Sequence, residues 1–303
     1  MARMIVDCDP GHDDAIALIL AHEYAEVVGV TTVAGNAPLS ATTTNALLMM
    51  ALLGVDTPVH SGASEALAGP APHAQAVHGS SGLGGVTRIQ HDRTVAGTDA
   101  VGFLLDAPGP DDWIVALGPL TNLALAIERD PGWVRRVAGI SIMGGSAGVG
   151  NVTRVAEFNI WADPEAAARV FRSGADLTMC GLNLTHQFRS SDAVTERLRN
   201  VDSPLAAFAV ESFDYLHARL AEFIGSRDAA LHDPCAVLAV THPELIETEA
   251  RAVDVETTGT LTRGMTVVDQ RVTRRRDPDN VRVAYRIDPA RAMELTLAAL
   301  GVS

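Results

Sequence analysis

Four carboxylates crowd into one short stretch near the N-terminus, Asp7-Cys8-Asp9-Pro10-Gly11-His12-Asp13-Asp14. An apolar run precedes it and a helical pattern follows, so it marks a strand-to-helix turn. In an open α/β sheet, ligands bind just beyond the carboxyl ends of the strands. Gly11 lets the turn be tight, and Asp13 and Asp14 fall at a helix N-terminus, where negative charge is favoured. The helix dipole offsets only part of the repulsion among such close carboxylates. A hard divalent cation offsets far more, and an all-oxygen set selects Ca2+ or Mg2+ over Zn2+. A capped helix after a charged turn accounts for one or two Asp, but not for four that converge.

The elements that must position this cluster follow from hydrophobic periodicity. The pattern predicts strands at 4–7, 27–33, 113–117, 137–143 and 177–180, with helices at 13–22, 39–53, 120–128 and 164–172 between them. Alternation of this kind implies an α/β fold: a mostly parallel, doubly wound, Rossmann-like sheet with helices on both faces. After about residue 182 come helices, then short strands at 251–256, 265–269 and 282–287 and a helix from Pro289, a small C-terminal β/α extension. No linker or repeat divides the chain, so residues 1–303 read as a single domain. The Gly/Ser-rich stretches 77–85 and 144–150 read as loops, and Arg274-Arg275-Arg276 as a solvated turn.

Composition removes several function classes. The 303 residues include 37 Asp and Glu against 23 basic residues, all of them Arg, for a formal charge of −14. Without Lys there is no Schiff-base chemistry and no Walker A phosphate loop. The acidic balance argues against a nucleic-acid partner and against attachment to a membrane surface. Cys8, Cys180 and Cys235 are far apart and odd in number, as expected of buried thiols in a reducing compartment. No apolar leader or membrane-length run is visible, and a cytoplasmic protein is expected.

DCDPGHDDAIA resembles the signature of the nucleoside hydrolases of the inosine–uridine-preferring type. Further blocks follow in that family's order: Val33-Ala34-Gly35-Asn36, His78-Gly79, Leu117-Gly118-Pro119-Leu120-Thr121-Asn122, Met143-Gly144-Gly145, Gly150-Asn151-Val152-Thr153, Ala156-Glu157-Phe158-Asn159 and Leu231-His232-Asp233-Pro234. The resemblance implies hydrolysis of the N-glycosidic bond of ribonucleosides to ribose and free base, with Ca2+ as cofactor. It implies Ca2+ ligands Asp9, Asp14, Asp233 and the main-chain carbonyl of Leu117. The metal would lower the pKa of water, with Asp9 taking its proton. Asp13, Asn36, Asn151, Glu157 and Asn159 would hold the ribose hydroxyls, with Met143 and Phe158 against the substrate. His232 would assist departure of the base, with His78 nearby. A homodimer or homotetramer is expected on the same ground.

Taken singly, Met143 reads as a core residue and Asn36 as a turn residue. The region 211–231, where relatives carry base-contacting residues, does not align, so base preference rests on a lean toward His-assisted cleavage that includes pyrimidine nucleosides. Two other readings stay open. Asp7-Cys8-Asp9 imitates the nucleophile and acid of a haloacid-dehalogenase-like phosphatase, although Gly11 and the missing Lys oppose it. A non-catalytic nucleoside- or ribose-binding protein would keep the same pocket.

Overall fold

The computed structural model describes residues 1–273 and 277–302; the expected turn at Arg274-Arg275-Arg276 lies outside the described residues. In chain order the strands are β1 (Ala2–Cys8), β2 (Ala25–Thr32), β3 (Val59–Ser61), β4 (Asp112–Ala116), β5 (Gly139–Met143), β6 (Leu177–Cys180), β7 (Arg189–Ser190), β8 (Ala229–Ala230), β9 (Ile246–Arg251), β10 (Val253–Val255), β11 (Thr266–Val268) and β12 (Val281–Ile287). The helices are α1 (His12–Tyr24), α2 (Leu39–Leu53), α3 (Gln75–His78), α4 (Ala100–Asp106), α5 (Thr121–Arg129), α6 (Phe158–Ala162), α7 (Pro164–Phe171), α8 (Leu182–Thr185), α9 (Asp192–Arg199), α10 (Pro204–Ile224), α11 (Pro234–Thr241) and α12 (Pro289–Ala299).

The main sheet runs β3-β2-β1-β4-β5-β6-β12-β9. All its pairings are parallel except β9 on β12, which closes one edge antiparallel. Strands covered on both faces have no solvent side, which is why β1 and β5 read as near-continuous apolar runs. One face packs against α1, α2, α10, α11 and α12, the other against α4, α5 and α7. Helix α1 is buried at every position from His12 to Ala21, because helices cover its outer side as the sheet covers its inner side. The winding direction reverses between β1 and β4, so a crevice opens at their carboxyl ends. Asp7 O there accepts from Leu117 N–H (2.8 Å), and Cys8 O accepts from Val33 N–H (3.0 Å).

Two expectations need correction at their edges. The strand expected over 251–256 is two strands, because the chain leaves the main sheet at Ala252. Asn280 grips Val253 there through both its N–H (2.8 Å) and its carbonyl (3.0 Å), which turns β10 away to pair with β11. The strand expected from 137 begins at Gly139, after a 3-10 turn at Trp133–Arg135. Among the described residues no helix is long and apolar enough to cross a membrane.

Asp163 fastens the second face. It caps α7 through Ala166 N–H (3.0 Å) and also accepts from Leu67 N–H and the Thr121 hydroxyl, both at 2.8 Å. Asp163→Ala strands these donors in the interior, and denaturant melts should show a loss of roughly 1–3 kcal/mol in unfolding free energy.

Candidate active site

The crevice at the end of β1 gathers the carboxylates. Asp13, Asp14 and Asp233 bring one oxygen each within 4.8 Å of one another, all three buried. Asp13 and Asp14 come from the first turn of α1, and Asp233 from the entry to α11, where Pro234 starts the helix. Asp9 hangs from the turn before α1. Its Oδ2 accepts from Asn36 N–H (2.6 Å), while its Oδ1 is buried without a hydrogen-bond partner. Asp14 accepts from the N–H groups of Asp9 (3.2 Å) and Gly11 (3.0 Å) and from the Asn36 amide (3.0 Å). Asn36 therefore ties Asp9 to Asp14 and is more than a turn residue.

Backbone forms the walls around Asp9. A Cβ at Gly35 would lie 2.1 Å from Asp9 Oδ2, and one at Gly118 would lie 2.4 Å from Asp9 Oδ1. Beyond Gly118, the Leu117 carbonyl accepts from Asn159 Nδ2 (2.6 Å), which also reaches the Met143 carbonyl (3.1 Å). A carbonyl has two lone pairs, so the Leu117 oxygen keeps one free. Glu157 caps α6 through Asn159 N–H (2.8 Å) and Ile160 N–H (3.2 Å), and takes Gly145 N–H (2.9 Å) as well. Phe158 lies beside Trp161, with ring centroids 6.5 Å apart. Asn151 stands exposed on the glycine-rich loop, held by its N–H to Ala156 O (3.1 Å), and is not drawn into the buried cluster.

Histidines line the opposite side. Nδ1 of His232 pairs with the Thr185 hydroxyl (2.7 Å), and its ring meets that of His186 edge-on at 5.8 Å. His78 stacks on His12 (5.4 Å), and His12 stacks on Tyr215 of α10 (5.0 Å). Neither His12 nor Tyr215 was among the expected site residues. His12 lies within the acidic motif without a role implied by the resemblance, and Tyr215 sits in the stretch that does not align. Glu211, Tyr215 and Arg219, spaced by four on one face of α10, hold the segment bearing His78. Glu211 accepts from Thr87, Tyr215 packs on Gly79, Gly84 and Gly85, and Arg219 donates to Ala76 O (2.7 Å).

Burial dominates the electrostatics. Desolvation, reinforced by neighbouring carboxylates, holds Asp9 and Asp233 well above the usual carboxylate range and raises Asp14 to about 6. Asp14 and Asp233 face each other at close range, and each raises the cost of ionising the other. Burial also lifts Glu157 and Asp7 to about 7 and lowers His12 and His232 to about 4. Asp7 is enclosed and takes the Thr31 hydroxyl (2.5 Å) and the Asn122 amide (2.7 Å) on Oδ1, an arrangement that positions the crevice floor. Such a residue is not placed to attack a phosphate ester, which removes the physical basis of the phosphatase reading.

The inosine–uridine preferring nucleoside hydrolase family model matches residues 4–294. The chain belongs to this family. It is 40% identical over 296 residues to the inosine–uridine preferring nucleoside hydrolase of Leishmania major, covering 94% of this chain and 93% of that protein. It is 43% identical over 273 residues to the pyrimidine-specific ribonucleoside hydrolase RihA of an Enterobacter strain, covering 88% and 87%. Among solved structures, the plant nucleoside hydrolase PpNRh1 superposes with a TM-score of 0.92 at 33% identity, covering 100% of this chain and 99% of its own. The purine-preferring ribonucleoside hydrolase of Gardnerella vaginalis matches with a TM-score of 0.92 at 31% identity, covering 98% of each. This nucleoside hydrolase is thus an enzyme that cleaves the N-glycosidic bond of ribonucleosides.

A carboxyl whose pKa is raised by folding keeps its proton in the folded state after the unfolded chain has released its own. The raised carboxyls should therefore take stability from the metal-free hydrolase as pH rises from about 4 toward about 7. His12 and His232, held neutral by burial, oppose this by adding stability as pH rises from about 4 through the ordinary histidine range. A divalent cation held among the buried carboxylates would favour their ionised forms, so adding one should reduce the loss contributed by the clustered carboxylates. The part from Asp7 and Glu157 should persist. Thermal melts from about pH 5 to 8, with EDTA or with Ca2+, measure both.

Proposed function

We propose that this nucleoside hydrolase works at the carboxylate crevice with Asp9 as the base that deprotonates water. The observation that carries this reading is the unpartnered, buried Oδ1 of Asp9 beside three convergent carboxylates. A lone pair aimed at no donor in a dry site costs stability unless a cation or substrate completes it. The donor set is all oxygen, which fits Ca2+: Asp9, Asp14, Asp233 and the free lone pair of the Leu117 carbonyl would hold it, with Asp13 also in reach. When bound, such a cation supplies Lewis acidity and lowers the pKa of water.

The chain's own groups perform the rest. Water oxygen bonds to C1′ of the ribose as the C1′–N bond breaks, with its electron pair leaving on the base. Asp9 accepts the water proton. Positive charge develops on the sugar ring in this step, and the buried carboxylates stabilise it from fixed positions. Asp13, Asn36, Glu157 and Asn159 hold the ribose hydroxyls, since these groups offer both acceptors and donors; the expected part of Asn151 is not carried over, because it stands exposed outside the cluster. The closing of α6 by Glu157 sets Asn159 against Leu117 and Met143 for that task. Met143 and Phe158 pack on the substrate, and His232, with His78, receives the departing base.

Pyrimidine nucleosides are among the proposed substrates, a reading supported by the likeness to RihA. Comparing kcat/KM for inosine, adenosine, guanosine, uridine and cytidine tests it. A homodimer or homotetramer is part of the same proposal, readable by light scattering.

Asp9→Asn should lower kcat by at least ~10³-fold while nucleoside binding survives; full activity in that variant would rule out Asp9 as the base. Prolonged EDTA treatment should abolish release of reducing sugar from inosine or uridine, and Ca2+ should restore it. An enzyme stripped of metal and still fully active would end the metal part of the proposal.

A further inference from the structure

Thr185 has no part in the reaction described above, yet its side chain is fully buried and its hydroxyl is committed to one partner. Among the described residues that hydroxyl makes a single hydrogen bond, the 2.7 Å pairing with Nδ1 of His232, a residue 47 positions away. We propose that Thr185 is a positioning residue for the hydrolysis: its hydroxyl fixes the ring of His232, so that Nε2 is the nitrogen left to the departing base.

The backbone delivers Thr185 to that point. Strand β6 ends at Cys180, and Gly181 turns the chain straight into α8, whose one turn closes as Leu184 N–H (2.9 Å) and Thr185 N–H (3.0 Å) donate to Gly181 O. A Cβ at Gly181 would lie 2.8 Å from the Gly145 carbonyl oxygen, which itself accepts from Leu182 N–H (2.9 Å). A side chain there would push α8 away from the loop after β5. Beyond α8, β7 pairs antiparallel with β8, and Leu231 N–H donates to Phe188 O (2.9 Å). That ribbon sets the register of 185–190 against 229–232 and brings Thr185 to His232. The other side of the contact is fixed too, since the His232 carbonyl accepts from Cys235 N–H (3.1 Å) in the first turn of α11.

A hydroxyl suits this task because it both donates and accepts. It stays paired with Nδ1 whether or not that nitrogen bears a proton, so the ring is held through any exchange at Nε2. Nε2 of His232 makes no hydrogen bond among the described residues and is the ring nitrogen free for substrate. The ring of His186, edge-on with centroids 5.8 Å apart, restricts the imidazole further. A ring pinned at one nitrogen keeps the other within a narrow arc, and misplacement of a group that assists a leaving group costs rate more than affinity.

This inference rests on the nucleoside-hydrolase reading and on His232 as the group that receives the base. Thr185→Val keeps the shape and removes the hydroxyl, whereas Thr185→Ser keeps the hydroxyl. With inosine or uridine and Ca2+ present, kcat of Thr185→Val should fall ~10- to 100-fold with KM changing far less, while Thr185→Ser keeps most of the rate. In para-nitrophenyl riboside the phenolate departs without help, so its hydrolysis by Thr185→Val should suffer far less. In a His232→Ala background, adding Thr185→Val should cost nothing more, because its effect runs through that ring. Unchanged nucleoside rates in Thr185→Val, an equal loss on the nitrophenyl riboside, or a further loss in the His232→Ala background each overturn the proposal. Thr185→Ala makes the same comparisons if the valine variant does not fold, and the double variant decides alone if the riboside is not a substrate. Failure of the underlying reading looks different: the unaltered protein releases no sugar from nucleosides, or His232→Ala keeps full activity, and either result removes the inference as well.

Discussion

Carboxylates repel, and this fold buries Asp9, Asp13, Asp14 and Asp233 together at the one place where its sheet reverses winding direction. That crowding is the constraint from which most of the architecture follows. Backbone N–H groups of Asp9, Gly11 and Asn36 all point at it, and the Asn36 amide bridges two of its members. The first turn of α1 adds the positive end of a dipole. Even so, burial and mutual repulsion keep Asp14 and Asp233 above the usual carboxylate range, the response of paired acids that lack a counter-charge. The burial of α1 on all sides gives the cluster a rigid base, so the repulsion cannot relax by moving the helix.

The two ends of the pocket are built by different means. Around Asp9 the walls are main chain, and the supporting bonds run through Asn159, the Leu117 carbonyl and the cap at Glu157. On the histidine side the walls are rings and the face of α10, which grips the segment 76–87 through Glu211, Tyr215 and Arg219. The Asp9 end is held by short, buried hydrogen bonds. The histidine end is held by stacking and by half-exposed polar contacts, which are individually weaker.

Much of this was legible in residue order, for local reasons. Helix α2 spans 39–53 as expected, because Pro38 and Gly54, the latter left-handed, frame an apolar run. Strand β6 coincides with its expected range because left-handed Gly174 precedes it and Gly181 leads straight into α8. Of the motif blocks, those of Asp9, Asn36, Leu117 and Asn159 lie together at the crevice, while Asn151 stays exposed outside the buried cluster. What local pattern could not convey was partnership across the chain. The strand expected over 251–256 is broken because Asn280 pulls Val253 aside. Asp7 passed for a possible nucleophile until Thr31 and Asn122 were seen to enclose it. His12 owes its meaning to His78 and Tyr215, which are distant in sequence and carry no spacing signal. The short strand β3 and the helix α4 were missed because few residues express their periodicity.

The glycine walls at Gly35 and Gly118 have a bearing on how such an enzyme can diverge. Any side chain introduced there collides with Asp9, so the reacting end of the pocket has no adjustable surface and mutational drift cannot reshape it. The histidine end is lined instead by side chains that differ in size and polarity, among them His12, His78 and Tyr215. Relatives that share this fold bear names spanning inosine–uridine, pyrimidine-specific and purine-preferring hydrolysis, the spread expected when selection can act on one half of a cavity and not the other.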